Sequence, residues 1–165
     1  MLSRDFLVSA IRRESDICQH LAGKITGDDY DFRLTPSGRS TIDLMQYLAF
    51  CAIGPVRSYL AEDWKEWFAL EKERATMGPE EFADAMDSQA TEFAEKVGAI
   101  SEEELRTRIV ELPGIGMMPL GTAIVETSYI WLLAYRHELF LRVKLTSAPE
   151  VDQVNNWIGK DRGEL

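Results

Sequence analysis

The sequence predicts an all-α protein that folds as one four-helix bundle domain over residues 1–165. Four long stretches carry apolar residues at the three-to-four residue spacing of an amphipathic helix. Short, irregular connections rich in Gly, Pro and Asp separate these stretches. A chain of 165 residues with 45% hydrophobic and 28% charged residues is long enough to bury a sizeable core.

The first helix is predicted over residues 3–22, with Ser3 as the N-cap and Gly23 at the end. Glu14 falls inside the apolar stripe of this helix. It is either a hydrogen-bonded or partly exposed structural carboxylate, or an acid that faces a pocket.

The second helix is predicted near residues 40–61, with Ser40 or Thr41 as its cap. Gly54–Pro55 can kink this helix or end it early. The following segment, residues 62–78, is predicted to form an irregular or helical corner. This segment carries two tryptophans, Trp64 and Trp67, which are either part of a solvated face or a contact between subunits.

The third helix is predicted near residues 79–97, because Pro79 and the acidic residues after it are a typical helix start. Glycines and prolines then interrupt an alternating stretch up to Pro119, which predicts a short extended segment or a hairpin. The fourth helix, residues 119–145, is the longest and most apolar of the four. Trp157 is expected to anchor the segment that follows it.

Charge and composition exclude several classes of function. The net charge of −10 and the lack of a basic cluster disfavour nucleic-acid binding, which depends on neutralising phosphates. No apolar run is long enough for a membrane span, and no signal-peptide core is found, so a cytoplasmic location is expected. The two cysteines, Cys18 and Cys51, lack a CxxC spacing and are expected to be reduced and buried.

Four segments resemble, in order and spacing, the DinB-like family of four-helix bundle proteins. DYDFRLTPSGRSTIDLMQYL at 29–48 is similar to the start of the family's second helix. VELPGIGMMPLGTAIVET at 110–127 is similar to its Pro-Gly turn, and YIWLLAYRHELFLRVK at 129–144 to its fourth helix. VNNWIGKD at 154–161 is similar to its C-terminal Trp-Gly anchor.

Metal-binding relatives use three histidines, and this chain has none at the matching positions. The resemblance places the histidine of the second helix on Tyr47 and the pair of the fourth helix on Trp131 and Tyr135. Arg136 keeps the family arginine, and Glu138 stands where glutamine is common. Indole has no free lone pair for a metal, and a neutral phenol is a poor ligand, so no metal and no other cofactor are expected. A carboxylate site that uses Glu14, Glu126 or Glu138 stays an open alternative, although these residues have no recognisable metal-ligand spacing.

Two interpretations of these aromatic positions stay open. Tyr47, Trp131 and Tyr135 either fill the former metal cavity by core packing or line a pocket for a small apolar or cationic ligand. In the second case Arg39, Glu14 or Glu138 would supply polar contacts, so these residues are also candidates for ligand binding.

The resemblance implies a non-catalytic or small-ligand-binding protein, with a second copy of the chain as a further candidate partner in a homodimer. The alternative function is an enzyme of the thiol-dependent transferase or isomerase type that uses a different pocket. The catalytic residues of such an enzyme are unknown, because no motif in the sequence marks them. A DNA-damage role is suggested only by the family name, and the acidic charge argues against it.

Overall fold

The computed structural model describes residues 3–164 of the chain, and this part is predominantly helical. The all-α class is therefore confirmed. The α-helices of this part are α1 Arg4–Ala22, α2 Thr41–Leu48, α3 Ile53–Ala61, α4 Lys65–Arg74, α5 Phe82–Gly98, α6 Glu102–Thr107, α7 Leu120–Ile124, α8 Ile130–Leu145 and α9 Gln153–Ile158. The two strands, β1 Ile109–Leu112 and β2 Gly116–Pro119, form an antiparallel hairpin.

The long helices pack around one apolar core. Helix α1 lies against α5 and α8, α2 lies against α8, and α3 lies against α5. The core combines aliphatic and aromatic side chains from all of these helices, for example Leu7, Leu48, Phe93 and Leu139. None of the helices in residues 3–164 has the length and apolar character that crossing a membrane requires.

Side-chain caps fix where the first two helices begin. The Phe6 amide donates to Ser3 Oγ at 3.2 Å, so the predicted cap of α1 is confirmed. At the start of α2, Ser40 and Asp43 exchange two hydrogen bonds in a capping box. The hydrogen bond from the Ser40 amide, followed by the Ser40 side chain, lowers the pKa of the Asp43 carboxyl.

The second helix is not continuous over 40–61, and its break falls before Gly54–Pro55. Helix α2 ends at Leu48 and α3 begins at Ile53. The buried side chain of Gln89, from α5, receives a hydrogen bond from the Ala52 amide (3.2 Å) and donates one to the Leu48 carbonyl (2.7 Å). Pro55 lies in the first turn of α3, where its missing N–H has no helical partner to lose.

The third helix and the hairpin lie where the sequence predicts them, whereas the fourth helix is interrupted. Pro79–Glu81 forms a 3₁₀ turn that leads into α5, and Leu112 pairs with Gly116 across the hairpin. A π-helical turn, Val125–Tyr129, separates α7 from α8. Inside it, Thr127 Oγ1 donates to the Ala123 carbonyl at 2.7 Å, which satisfies a backbone group in the irregular turn.

The expectation that Trp157 anchors the C-terminal segment is wrong, because its side chain is 63% exposed. Asn155 and Asn156 are the buried residues of α9. Gly159 ends the helix with φ +69°, and a Cβ there would lie 3.1 Å from the Ile17 side chain of α1. A glycine is therefore needed both for the left-handed backbone and for the close contact with α1.

Candidate functional site

The three aromatic positions that replace the expected histidines belong to one cluster of rings. Tyr47 on α2 and Tyr135 on α8 meet edge to face, with their ring centroids 4.7 Å apart. Trp131 contacts Trp67 of α4 at 5.6 Å, and Trp67 contacts Tyr47 at 5.9 Å. Trp67 therefore connects Trp131 to the two tyrosines.

Helical spacing explains how α8 supplies two of these rings. Trp131 and Tyr135 are four residues apart and therefore project from the same face of α8. Leu132 and Arg136, one position further along, point into the core and are buried. The two rings consequently lie at the border between the core and the surface, where each is partly buried.

Two of the three positions, Tyr47 and Trp131, line an open groove of about 480 Å³. This volume falls within the range of small-molecule sites. We call this feature the aromatic groove. Its walls come from α2, α4, α8 and the hairpin, and they are formed by Tyr47, Trp64, Trp67, Phe68, Leu112, Pro113, Ile115 and Trp131.

The outer wall of the aromatic groove contains apolar residues that are strongly exposed to solvent. The Ile115 side chain at the hairpin turn is 72% exposed, and Phe68 on α4 is also exposed. Trp64 and Trp67, in contrast, are partly buried against the core. The groove therefore offers an open surface whose lining is mostly apolar.

Arg39 lies beside the tyrosines at the edge of this cluster. Its guanidinium carbon is 4.2 Å from the Tyr47 ring centroid and 5.5 Å from that of Tyr135, both within the range of a cation–π contact. The buried Arg142 of α8 holds the connector in place by donating to the Arg39 carbonyl at 3.0 Å. It also donates to the Phe32 carbonyl at 3.0 Å.

Glu138 and Glu14 are not brought into the aromatic cluster. Glu138 pairs with Arg142 at 2.5 Å on the same helix. Glu14 is buried and accepts from Arg136 Nε at 2.7 Å and from Arg13 Nη2 at 3.1 Å. Both carboxylates are thus committed to ion pairs, and neither lines the aromatic groove.

Burial favours the neutral forms of Tyr47 and of the two cysteines. Burial, followed by the neighbouring Cys51 and Tyr135, raises the pKa of the Tyr47 phenol well above its ordinary value. Burial also raises the pKa of the Cys51 and Cys18 thiols. Both cysteines are free and buried, as the sequence predicts. A neutral phenol and protonated thiols are poor metal ligands and poor nucleophiles.

The described residues offer no evident metal centre. Within residues 3–164, no group of three or more His, Cys, Asp or Glu side chains is arranged to hold a metal ion. The two histidines lie elsewhere, each near an asparagine of α9: His20 is 3.1 Å from the Asn155 amide, and His137 is 3.2 Å from the Asn156 amide. That the purified protein contains no bound metal stays a prediction.

Several residues of the aromatic groove are not among the site residues that the sequence predicts. Trp64 and Trp67 are singled out by the sequence only as a candidate subunit contact, and the homodimer itself stays a prediction. Phe68, Pro113 and Ile115 carry no sequence signal for a site, because α4 and the hairpin meet α8 only in the folded chain. The three-residue spacing of Trp64 and Trp67 is the one signal that could have marked this wall.

Comparison with protein-family models finds no match for this chain, and comparison with curated proteins finds none either. The function is therefore argued from the geometry of the aromatic groove and its surroundings.

Proposed function

We propose that this chain is a DinB-like four-helix bundle without the family's histidine triad, and that its aromatic groove binds a small apolar ligand. Four helical segments of the structure agree with such a bundle: α1, the broken pair α2 and α3, α5, and the interrupted pair α7 and α8. The packing of α1 against both α5 and α8 supports this arrangement.

The observation that carries the proposal is open space beside the aromatic rings. Tyr47 and Trp131 each contact the Trp67 ring, and they also line a groove of about 480 Å³ together with Trp64 and Trp67. Core packing alone does not require open space beside these rings. Aromatic side chains provide large, rigid contact surfaces, so these walls are suited to a ligand with an apolar body.

The chemistry of the groove favours binding over catalysis. Tyr47 stays protonated at neutral pH because burial raises its pKa, so it is not poised to act as a general base. Glu14 and Glu138, the carboxylates proposed from the sequence, are held in ion pairs away from the groove. No contact of the described residues favours the alternative of a thiol-dependent transferase or isomerase.

Tryptophan fluorescence tests the proposal directly. Three of the four tryptophans line the groove, and Trp157 lies on the surface elsewhere. Titration with a neutral apolar probe, decan-1-ol, should change the emission and saturate. Trp131→Ala should weaken probe binding, whereas the matched control Trp157→Ala should bind as the wild type does. Equal binding by both variants, or no saturable binding by the wild type, would contradict the proposal.

Elemental analysis with native mass spectrometry tests the metal-free part of the proposal. The purified protein should contain no stoichiometric transition metal, and a chelator should leave its melting temperature unchanged. Native mass spectrometry would also reveal a co-purified small molecule and the oligomeric state. A stoichiometric metal that survives purification would refute the metal-free assignment.

A further inference from the structure

We propose that the ligand of the aromatic groove is an amphiphile with a single carboxylate, and that Arg39 binds this head group. The inference rests on the proposed function and specifies the class of ligand. Its central observation is the guanidinium of Arg39, which lies against the Tyr47 ring and has no carboxylate partner within 4.0 Å in the described part of the protein.

Arg39 differs from every other arginine of the chain. All twelve arginines lie within residues 3–164, and eleven of them form an ion pair with Asp or Glu there. Arg39 forms none, and within the same residues none of its N–H groups donates a hydrogen bond. The chain has 28 acidic and 18 basic residues, so acidic side chains outnumber the basic ones with which they could pair.

Arg39 is exposed, but the backbone around it is held by hydrogen bonds and its side chain contacts two rings. Arg142 binds the Arg39 carbonyl, and the capping box of Ser40 fixes the next residue. The guanidinium then rests on Tyr47 and beside Tyr135. Contact with these rings restricts the Arg39 side chain before a ligand binds, which lowers the conformational entropy lost on binding.

Tyr47 connects this guanidinium to the apolar groove, since its ring contacts Arg39 and also forms part of the groove wall. A ligand with its apolar body in the groove could therefore extend a head group past one ring to Arg39. A single guanidinium matches the charge and the planar shape of one carboxylate, with which it forms paired hydrogen bonds. A cationic head group would instead be repelled by Arg39.

Three probes with the same alkyl chain test the head group: decanoate, decan-1-ol and decylamine, each below its micelle concentration. The wild type should bind decanoate most tightly. Arg39→Met should lower the decanoate affinity about tenfold or more, the usual effect of losing a charge-assisted hydrogen bond. The same variant should leave the decan-1-ol affinity unchanged. Arg33→Met is the matched control, because Arg33 lies on the same connector but pairs with Asp43.

Circular dichroism melting of both variants shows that they are folded, so that a loss of affinity is not a loss of structure. If Arg39→Met binds decanoate as tightly as the wild type does, the head-group inference is wrong while the apolar groove remains. If no probe binds, the proposed function itself fails. A stable dimer that excludes all three probes would place a second copy of the chain on the groove and would overturn the inference as well.

Discussion

The buried ion pair between Glu14 and Arg136 gives the most quantitative prediction about this protein. Both side chains are only 3% exposed, and Arg136 Nε donates to Glu14 Oε2 at 2.7 Å. Arg136 Nη1 also donates to the backbone carbonyl and to the side-chain oxygen of Asn156. One guanidinium thus connects α1, α8 and α9.

Replacing Arg136 with Met keeps much of the apolar stem and removes all three of these hydrogen bonds. Glu14 would then remain buried, with only the half-exposed Arg13 as a cationic partner. Removing one member of a buried ion pair typically costs about 3–5 kcal/mol, because an uncompensated charge stays in the core. Domains are commonly stable by about 5–15 kcal/mol, so Arg136→Met should still fold but unfold at a clearly lower urea concentration.

Urea unfolding followed by far-UV circular dichroism measures this loss. The matched control is Arg106→Met, which removes the same group from a surface pair whose side chains are 60% and 67% exposed. That control should cost no more than about 1 kcal/mol. A double variant, Glu14→Gln with Arg136→Met, should be less destabilised than the sum of the two single changes. An Arg136→Met variant as stable as the surface control would refute the reasoning.

Three further predictions concern the groove and its support. Arg142→Met removes a hydrogen bond to the Arg39 carbonyl and so loosens the backbone that positions Arg39. It should lower decanoate affinity about threefold to tenfold without changing decan-1-ol affinity. Fluorescence titration measures both affinities. Gly54→Ala should destabilise the protein by about 1–3 kcal/mol in urea and shift tryptophan emission, because the new Cβ would lie 2.8 Å from the Trp67 ring. The Tyr47 phenol has a raised pKa in the folded protein, so the phenol of the unfolded chain ionises first as the pH rises. The free energy of unfolding should therefore fall as the pH rises through 10.0, and it should fall less in Tyr47→Phe. Unfolding curves of both proteins at alkaline pH test this.

The helices could be predicted because their signals are local. The spacing of apolar residues and the caps Ser3 and Ser40 lie within the helices that they specify. Gly54–Pro55 predicts an interruption of the second helix, because a proline cannot donate to the carbonyl four residues earlier, that of Cys51. The sequence does not show that the break reaches back to Leu48. The Leu48 carbonyl and the Ala52 amide bind Gln89, which is 37 residues from Ala52 along the chain. A tertiary partner therefore helps to position a break that the local sequence marks only approximately.

The candidate site was predictable to a similar extent. The resemblance selected Tyr47, Trp131 and Tyr135, and the structure brings these rings into one cluster through a fourth ring. The sequence could not show that Glu14 lies outside this cluster, because the ion-pair partner of Glu14 on α8 is 122 residues away along the chain. Periodicity identifies which face of a helix is buried, but it does not identify which charge meets a buried carboxylate.

The net charge of −10 and a carboxylate ligand are compatible because electrostatic effects at the groove are local. At physiological ionic strength the Debye length is about 8 Å, so most exposed charges act weakly on a ligand at one edge of the protein. Of the two charged groups that shift the Tyr47 pKa, Arg39 has the larger effect and Glu71 opposes it. A head group beside Tyr47 would lie close to the Arg39 guanidinium, which is 4.2 Å from that ring. A nucleic acid needs several cations along its backbone, and this one guanidinium cannot replace them. The same arrangement thus favours a small carboxylate and disfavours a polyanion.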